Sequence, residues 1–151
     1  MPPECDFYFG SIHRDGPLQI MVSTNGKGPR LASTIRKMVA EALPKNAGKA
    51  IEQMGELRKE LRKVAPAQDE GKRRMEWIKK CSDAYGWEDM GEMTGEDMKN
   101  LLEFYRKDEG PGGYVVPTME ELKALRKENH GKDGVDEVQE RVDGLTIEDK
   151  A

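Results

Sequence analysis

Residues 17–30 read PLQIMVSTNGKGPR, from Pro17 to Arg30, and this stretch decides the fold class. In its first half Leu18, Ile20 and Val22 alternate with Gln19 and Met21, the period that places three apolar side chains on one face of a strand. The second half is a polar, glycine-bearing turn, after which Gly28-Pro29 opens a helix with proline at the first helical position, where a missing N–H does no harm. A strand that runs through a short turn straight into a helix predicts an α+β chain: a short N-terminal β-hairpin packed with a mainly helical body.

Upstream, Cys5–Gly10 (CDFYFG) alternates and is aromatic, which predicts the partner strand. Between the two, His13-Arg14-Asp15-Gly16 carries the Asp-Gly dipeptide favoured in tight hairpins. Two strands alone are marginal, so the hairpin has to pack on helices or join a larger sheet. Met1-Pro2-Pro3 leads into this strand without a capping element and reads as a cut upstream of it.

Downstream the pattern is helical. Leu31, Ile35, Met38, Val39 and Ala42 form one apolar stripe, Pro44 ends that helix, and Asn46 is suited to cap the next. The second helix carries Ile51, Met54, Leu57, Leu61 and Val64 among Glu, Lys and Arg. So narrow a stripe on a charged helix fits either packing within the chain or a seam between subunits. A third helix is expected from about Asp69 to Tyr85, burying Met75, Ile78, Cys81 or Ser82, and Tyr85, with Gly86 as its stop. Trp87–Met93 reads as a short connection, and Thr94 starts a fourth helix with Met98, Leu101, Leu102 and Tyr105 on one face. Glu109–Gly113 is a loop, and Thr118 with Glu121 forms a capping box for a fifth helix through Met119, Leu122 and Leu125. From Gly131 onward glycine and acid replace apolar residues, which predicts a disordered acidic tail. The expected organisation is a hairpin-plus-two-helix dimerisation module over residues 1–66, a helical module over 67–130 and a tail over 131–151.

Composition bounds the function. Hydrophobic and charged residues each make up 36%, lean for a solitary globule, so thin helical layers should finish their burial against another chain or domain. The net charge of −4 is local: residues 131–151 hold seven acids and three bases, and the remainder balances at 22 of each. A neutral body lacks the general attraction that nucleic-acid binding needs, and the basic clusters Arg58-Lys59, Arg62-Lys63 and Lys72-Arg73-Arg74 read as solvated faces. No apolar run approaches the roughly 18 residues of a membrane span. Cys5 and Cys81 fit no redox or metal spacing and read as reduced thiols of a cytoplasmic protein. His13 and His130 stand alone, so no metal site is expected.

The chemistry concentrates in the turn. A glycine-bearing turn leading into a helix presents backbone N–H groups at the positive end of the helix dipole. Lys27 and Arg30 add charge, while Thr24, Asn25 and Gly26 add neutral donors and backbone freedom, so these five are the candidate substrate-binding residues, suited to a carboxylate or phosphate. The same stretch also reads as a plain turn and cap. It matches neither the dinucleotide fingerprint nor the phosphate-binding P-loop. No nucleophile–base pair emerges, so no catalytic residue is assigned. From the residues alone, this is a binding or dimerisation module with an anion-receptive turn.

The strings Cys5-Asp-Phe-Tyr-Phe-Gly10, Leu18-Gln-Ile20, Ser23-Thr-Asn-Gly26 and Pro29-Arg30 resemble the fungal-type siroheme synthases. The similarity continues through Gly55-Glu-Leu-Arg58, Arg62, Ala65-Pro66, Arg74-Met75, Cys81-Ser-Asp83 and Gly86 to the Pro117 region. It covers nearly everything before about Lys127. The resemblance implies a bifunctional precorrin-2 dehydrogenase and sirohydrochlorin ferrochelatase. Such an enzyme is a homodimer in which hydride passes from precorrin-2 to NAD and the oxidised macrocycle then receives Fe2+. It implies that this chain matches the central and C-terminal modules, without the NAD-binding Rossmann domain. It also implies that NAD and Fe2+ belong to the complete enzyme, and that neither is bound by this chain alone. The family aspartate sits in an Asn-x-x-Asp motif just before the position matched by Pro2-Pro3, and Asp6 does not replace it. The family's Ser-Pro before the helix is Gly28-Pro29 here, so that serine's hydroxyl is absent. The tetrapyrroles are polycarboxylates, and the resemblance turns the anion-receptive residues 24–30 into an expected lining of their cleft. The alternative is a non-catalytic helical dimer or scaffold.

Overall fold

The fold is that of a computed structural model, which describes residues 9–107 and 115–129. Strand β1 (Ser11–Asp15) pairs antiparallel with β2 (Leu18–Val22), Asp15 opposite Leu18 and Ser11 opposite Val22. That register leaves Gly16-Pro17 as a two-residue loop. Gly16 has φ +55°, and proline cannot follow it there, so this is the primed turn with glycine first that matches strand twist. The first strand therefore runs directly into Gly16 and is not centred on Cys5–Gly10; His13 and Arg14 are strand residues, and residues 5–8 lie outside the described residues. Sequence alternation missed β1 because its half-buried face is polar: Ser11, His13 and Asp15.

On β2 the half-buried face is Leu18, Ile20 and Val22, as the alternation predicts. Helix α1 (Pro29–Ala42) packs on both strands, and Arg36 Nε donates to Ser11 Oγ at 3.0 Å. The hairpin turn reaches the start of α2 (Ala47–Val64), where the Asp15 carboxylate accepts the Gly48 N–H at 2.8 Å. Asn46 occupies the N-cap position but its side chain makes no capping bond. Asp15 supplies that bond from 33 residues away, a contribution of about 1 kcal/mol by analogy with local caps. Gly48 permits the approach, since a Cβ there would collide with the Asp15 carbonyl.

The remaining helices are α3 (Gly71–Ala84), α4 (Trp87–Glu92), α5 (Gly95–Lys107) and α6 (119–129). Among the described residues there are thus six helices, the five expected and α4. The expected Trp87–Met93 connection is α4, with Glu88 and Asp89 in its first turn and the Met90 N–H bonded to the Gly86 carbonyl. Tyr85 is the C-cap of α3, and Gly86 is the N-cap of α4. The core is shared by α2 to α6: Leu57 and Leu61, Trp77 and Cys81, Leu101 and Leu102, and Leu122. The stripe of α2 is thereby largely an intrachain one. On α3 the buried face is Trp77, Cys81 and Tyr85, spaced by four, whereas Met75 is 61% exposed, contrary to expectation.

Polar groups tie the last helices in. Thr94 and Asp97 form a capping box on α5, and Thr118 and Glu121 the expected one on α6. Asp97 is fully buried and takes both Arg126 Nε, at 3.0 Å, and Arg126 Nη2. Tyr85 Oη donates to the Pro117 carbonyl at 2.7 Å. The Trp77 and Tyr105 rings meet in a T-shaped contact with centroids 5.3 Å apart. No helix among the described residues is long and apolar enough to cross a membrane. The expected loop at 109–113 and the acidic tail lie outside the described residues.

Candidate ligand-binding turn and its apolar surroundings

The turn after β2 is locked by its own side chains. Asn25 (φ +52°) and Gly26 (φ +74°) take the left-handed conformation in succession, which asparagine and glycine tolerate best. Thr24 organises the rest: its carbonyl accepts the Lys27 N–H and its Oγ1 the Gly28 N–H, both at 3.1 Å. Ser23 Oγ accepts the Asn25 N–H at 3.2 Å. Two amides that sequence reasoning offered to an anion are therefore already bonded. Pro29 has none to offer, so the Arg30 and Leu31 amides carry whatever donor character the first turn of α1 retains.

The five predicted residues fall into two groups. Thr24 and Gly26 line a cavity of about 270 Å³, together with Phe9, Ser11, Val22 and Pro29. Asn25, Lys27 and Arg30 are exposed beside them, and neither cationic side chain has a protein partner among the described residues. This arrangement can offer two mobile cations and a Thr hydroxyl to a carboxylate. It supplies no general base. Among the described residues no group of three or more His, Cys, Asp or Glu could hold a metal ion. Burial pushes the Cys81 thiol up to about 12, with its backbone hydrogen bond opposing, so this cysteine is a structural thiol and not a nucleophile.

The lean composition implied unfinished burial, but not that it falls on α1 beside this turn. Leu31, Ile35 and Met38, three of the predicted stripe residues, are 65%, 44% and 64% exposed, and Ala32 is the buried residue of α1. The outer face of the hairpin adds the cross-strand pair Ile12 and Met21. The signal was present as helical periodicity, but periodicity does not say which surface the stripe meets.

Two adjacent family models match this chain: the central region of the sirohaem biosynthesis protein over residues 15–42, and its C-terminal region over residues 44–111. The chain belongs to the siroheme biosynthesis protein family. It is 44% identical over 107 residues to a siroheme biosynthesis protein of Schizosaccharomyces pombe, covering 71% of this chain and 40% of that protein. To the siroheme biosynthesis protein of Saccharomyces cerevisiae it is 34% identical over 110 residues, 70% of this chain and 39% of the other. A siroheme synthase of a Psychrobacter species is 37% identical over 65 residues, 43% of this chain and 13% of that one. The chain thus spans about 40% of the length of its yeast relatives. The central match takes in β2, the turn and α1, the C-terminal match α2 to α5, and α6 lies beyond both. Within this siroheme family frame, the turn and the exposed stripe of α1 belong to the same matched region.

Proposed function

We propose that this chain is the dimerisation and tetrapyrrole-cleft portion of a precorrin-2 dehydrogenase and sirohydrochlorin ferrochelatase, acting as a cytoplasmic homodimer. The observation that carries the reading is the apolar face of α1, which begins at Leu31, one residue beyond the cationic Arg30. Full burial of a side chain such as Leu, Ile or Met contributes about 1.5–3 kcal/mol. Covering three of them against a second copy is then a substantial gain, and it would bring two anion-receptive turns into one assembly. Lys27 and Arg30 hold acetate or propionate arms of the macrocycle, and Thr24 fixes the turn that carries them.

The described residues do not suit a nicotinamide dinucleotide. The strand-to-helix turn has its Lys27 and Gly28 amides bonded to Thr24 and lacks the glycine spacing for a pyrophosphate. In this reading NAD and the substrate Fe2+ are handled by the complete enzyme, and the 151-residue chain alone does not oxidise precorrin-2. One observation favours the scaffold alternative, namely that Thr24 satisfies the turn internally without a ligand.

Sedimentation equilibrium with and without sirohydrochlorin, followed at the pigment's absorbance, tests the proposal. A dimer carrying pigment is expected, with Lys27→Ala/Arg30→Ala weakening the pigment at least ten-fold while leaving the dimer intact. A dimer that ignores the pigment leaves the scaffold reading; a monomer removes both.

A further inference from the structure

A second grooved surface runs along α2 where it faces α3 and α4, and it shares no residue with the turn. Along α2, Ile51, Gly55, Arg58 and Arg62 are spaced by four, three and four, so they share one face over about 16 Å of helix. Two cavities open beside this face, and Arg58 lines both. One, of about 440 Å³, is walled by Ile51, Met54, Gly55, Trp87 and Met90. The other, of about 210 Å³, is floored by Leu61, Met75 and Ile78 and bordered by Arg58, Arg62 and Arg74. The groove is apolar and aromatic at one end and cationic at the other.

Three features are unexplained by the fold alone. First, the four bases on this part of α2 are treated differently: Lys59 pairs with Glu56 at 3.2 Å and Lys63 with Glu60 at 2.6 Å. Arg58 and Arg62 have no acidic partner among the described residues, although as like charges four apart they disfavour the helix. Arg74 is held at the same end by donating Nη1 to the Ala65 and Ala67 carbonyls at 2.5 and 2.7 Å. Second, Gly55 sits in the middle of α2, where glycine weakens a helix, and no atom lies within 4 Å of the place its Cβ would take. Third, Trp87 and Met75 stay 46% and 61% exposed at the groove.

We infer that this groove is a binding site for a flat aromatic polycarboxylate, whose ring lies over Gly55 against Trp87 and Met54 while its carboxylates meet Arg58 and Arg62. Guanidinium pairs suit carboxylates because they present parallel donors. The open position at Gly55 lets a ring approach the helix backbone. Taking the occupant to be of the tetrapyrrole class rests on the function proposed above, and the groove then seats a second pigment per chain, apart from the turn at residues 24–30.

Titration of the whole chain with uroporphyrin, an octacarboxylic porphyrin, decides this by stoichiometry. Two bound per chain are expected, falling to one in Arg58→Glu/Arg62→Glu and to one in Lys27→Ala/Arg30→Ala. Gly55→Leu, whose Cβ would meet no atom of the chain and which improves the helix, is expected to raise the melting temperature while weakening the groove site at least ten-fold. Loss of all binding in the groove variant, with full retention in the turn variant, supports the groove and removes the turn. Full retention in the groove variant and in Gly55→Leu overturns the groove whatever the turn does. No binding by the wild-type chain overturns both.

Discussion

The hairpin with α1 and the helical body from α2 to α6 solve burial in opposite ways. The body closes on itself: Leu57, Trp77, Cys81, Leu101 and Leu122 are inaccessible to solvent, and Asp97, the one buried acid among the described residues, is matched by Arg126. Over residues 9–42, by contrast, Ala32 is the buried residue, and five large apolar side chains from Ile12 to Met38 stay more than a third exposed. The two regions are joined by a single capping bond from Asp15 to Gly48 and by modest strand-to-helix contact. The difference teaches that burial is finished in one part of this short chain and left open in the other, the part that the proposed dimer would cover. A body with a finished core can hold a thin, unfinished layer in a defined place for another surface to complete.

The largest effect should come from breaking the finished side. Trp77→Ala removes a ring in T-shaped contact with Tyr105 at the centre of the core, and about 3–5 kcal/mol of unfolding free energy should be lost in a urea titration. Trp77→Phe should lose clearly less than Trp77→Ala, because most of the ring volume stays and the buried indole N–H has no hydrogen-bond partner among the described residues to forfeit. Equal losses for the two would mean that the indole N–H matters in a way the geometry does not show.

Alkaline pH probes the same core next. Folding raises the Cys81 thiol from 9.0 to about 12 through burial. Below pH 9 both states keep this proton. Above it the unfolded thiol ionises while the folded one stays neutral, so the folded state binds more protons and stability falls as pH rises. The loss attributable to this group is at most about 1.4 kcal/mol per pH unit between pH 9 and 12. Tyr85 acts in the same direction, its hydroxyl raised by burial first and by the charges of Cys81 and Glu121 after that. Denaturant midpoints of wild type and Cys81→Ala should therefore converge as pH climbs. Parallel curves would mean that the thiol ionises in place.

Asp15→Ala is smaller, about 0.5–2 kcal/mol in the manner of a lost cap, and it separates the two regions specifically. Hydrogen exchange should quicken in β1, β2 and the first turn of α2 while α5 keeps its protection. Uniform quickening would show that the hairpin is integral to the core.

Sequence periodicity reached most of the helical body because its stripes meet each other. Met98, Leu101, Leu102 and Tyr105 were legible on α5, and so was the Thr118–Glu121 box. It failed where the decisive contact is non-local or polar. β1 was misplaced because its half-buried face reads as a turn, and the cap of α2 comes from Asp15, which no local pattern marks. On α3 Met75 lines the groove instead of the core, Ile78 borders the groove while packing against the core, and Trp77 takes the buried face. For the candidate turn, residue types name donors, but Thr24 takes up the Lys27 and Gly28 amides, an arrangement that goes with the left-handed Asn25 and Gly26 and is invisible in composition.

The smallest effect on folding is expected where the comparison is sharpest. Leu31→Ser, Ile35→Ser and Met38→Ser each remove an apolar side chain that this chain leaves 44–65% exposed. At low concentration, where the chain is monomeric, each should shift unfolding by no more than about 0.5 kcal/mol. Association should respond far more, because a stripe buried between two copies contributes its full transfer free energy there and almost none before. Sedimentation across a concentration series should show the triple variant staying monomeric where wild type dimerises, with the far-ultraviolet circular dichroism unchanged. If the triple variant unfolds instead, the stripe is completing a fold within one chain and the division of labour between the two regions is wrong. If it dimerises as wild type does, the apolar face of α1 is not the seam, and the outer hairpin pair Ile12 and Met21 becomes the surface to remove next.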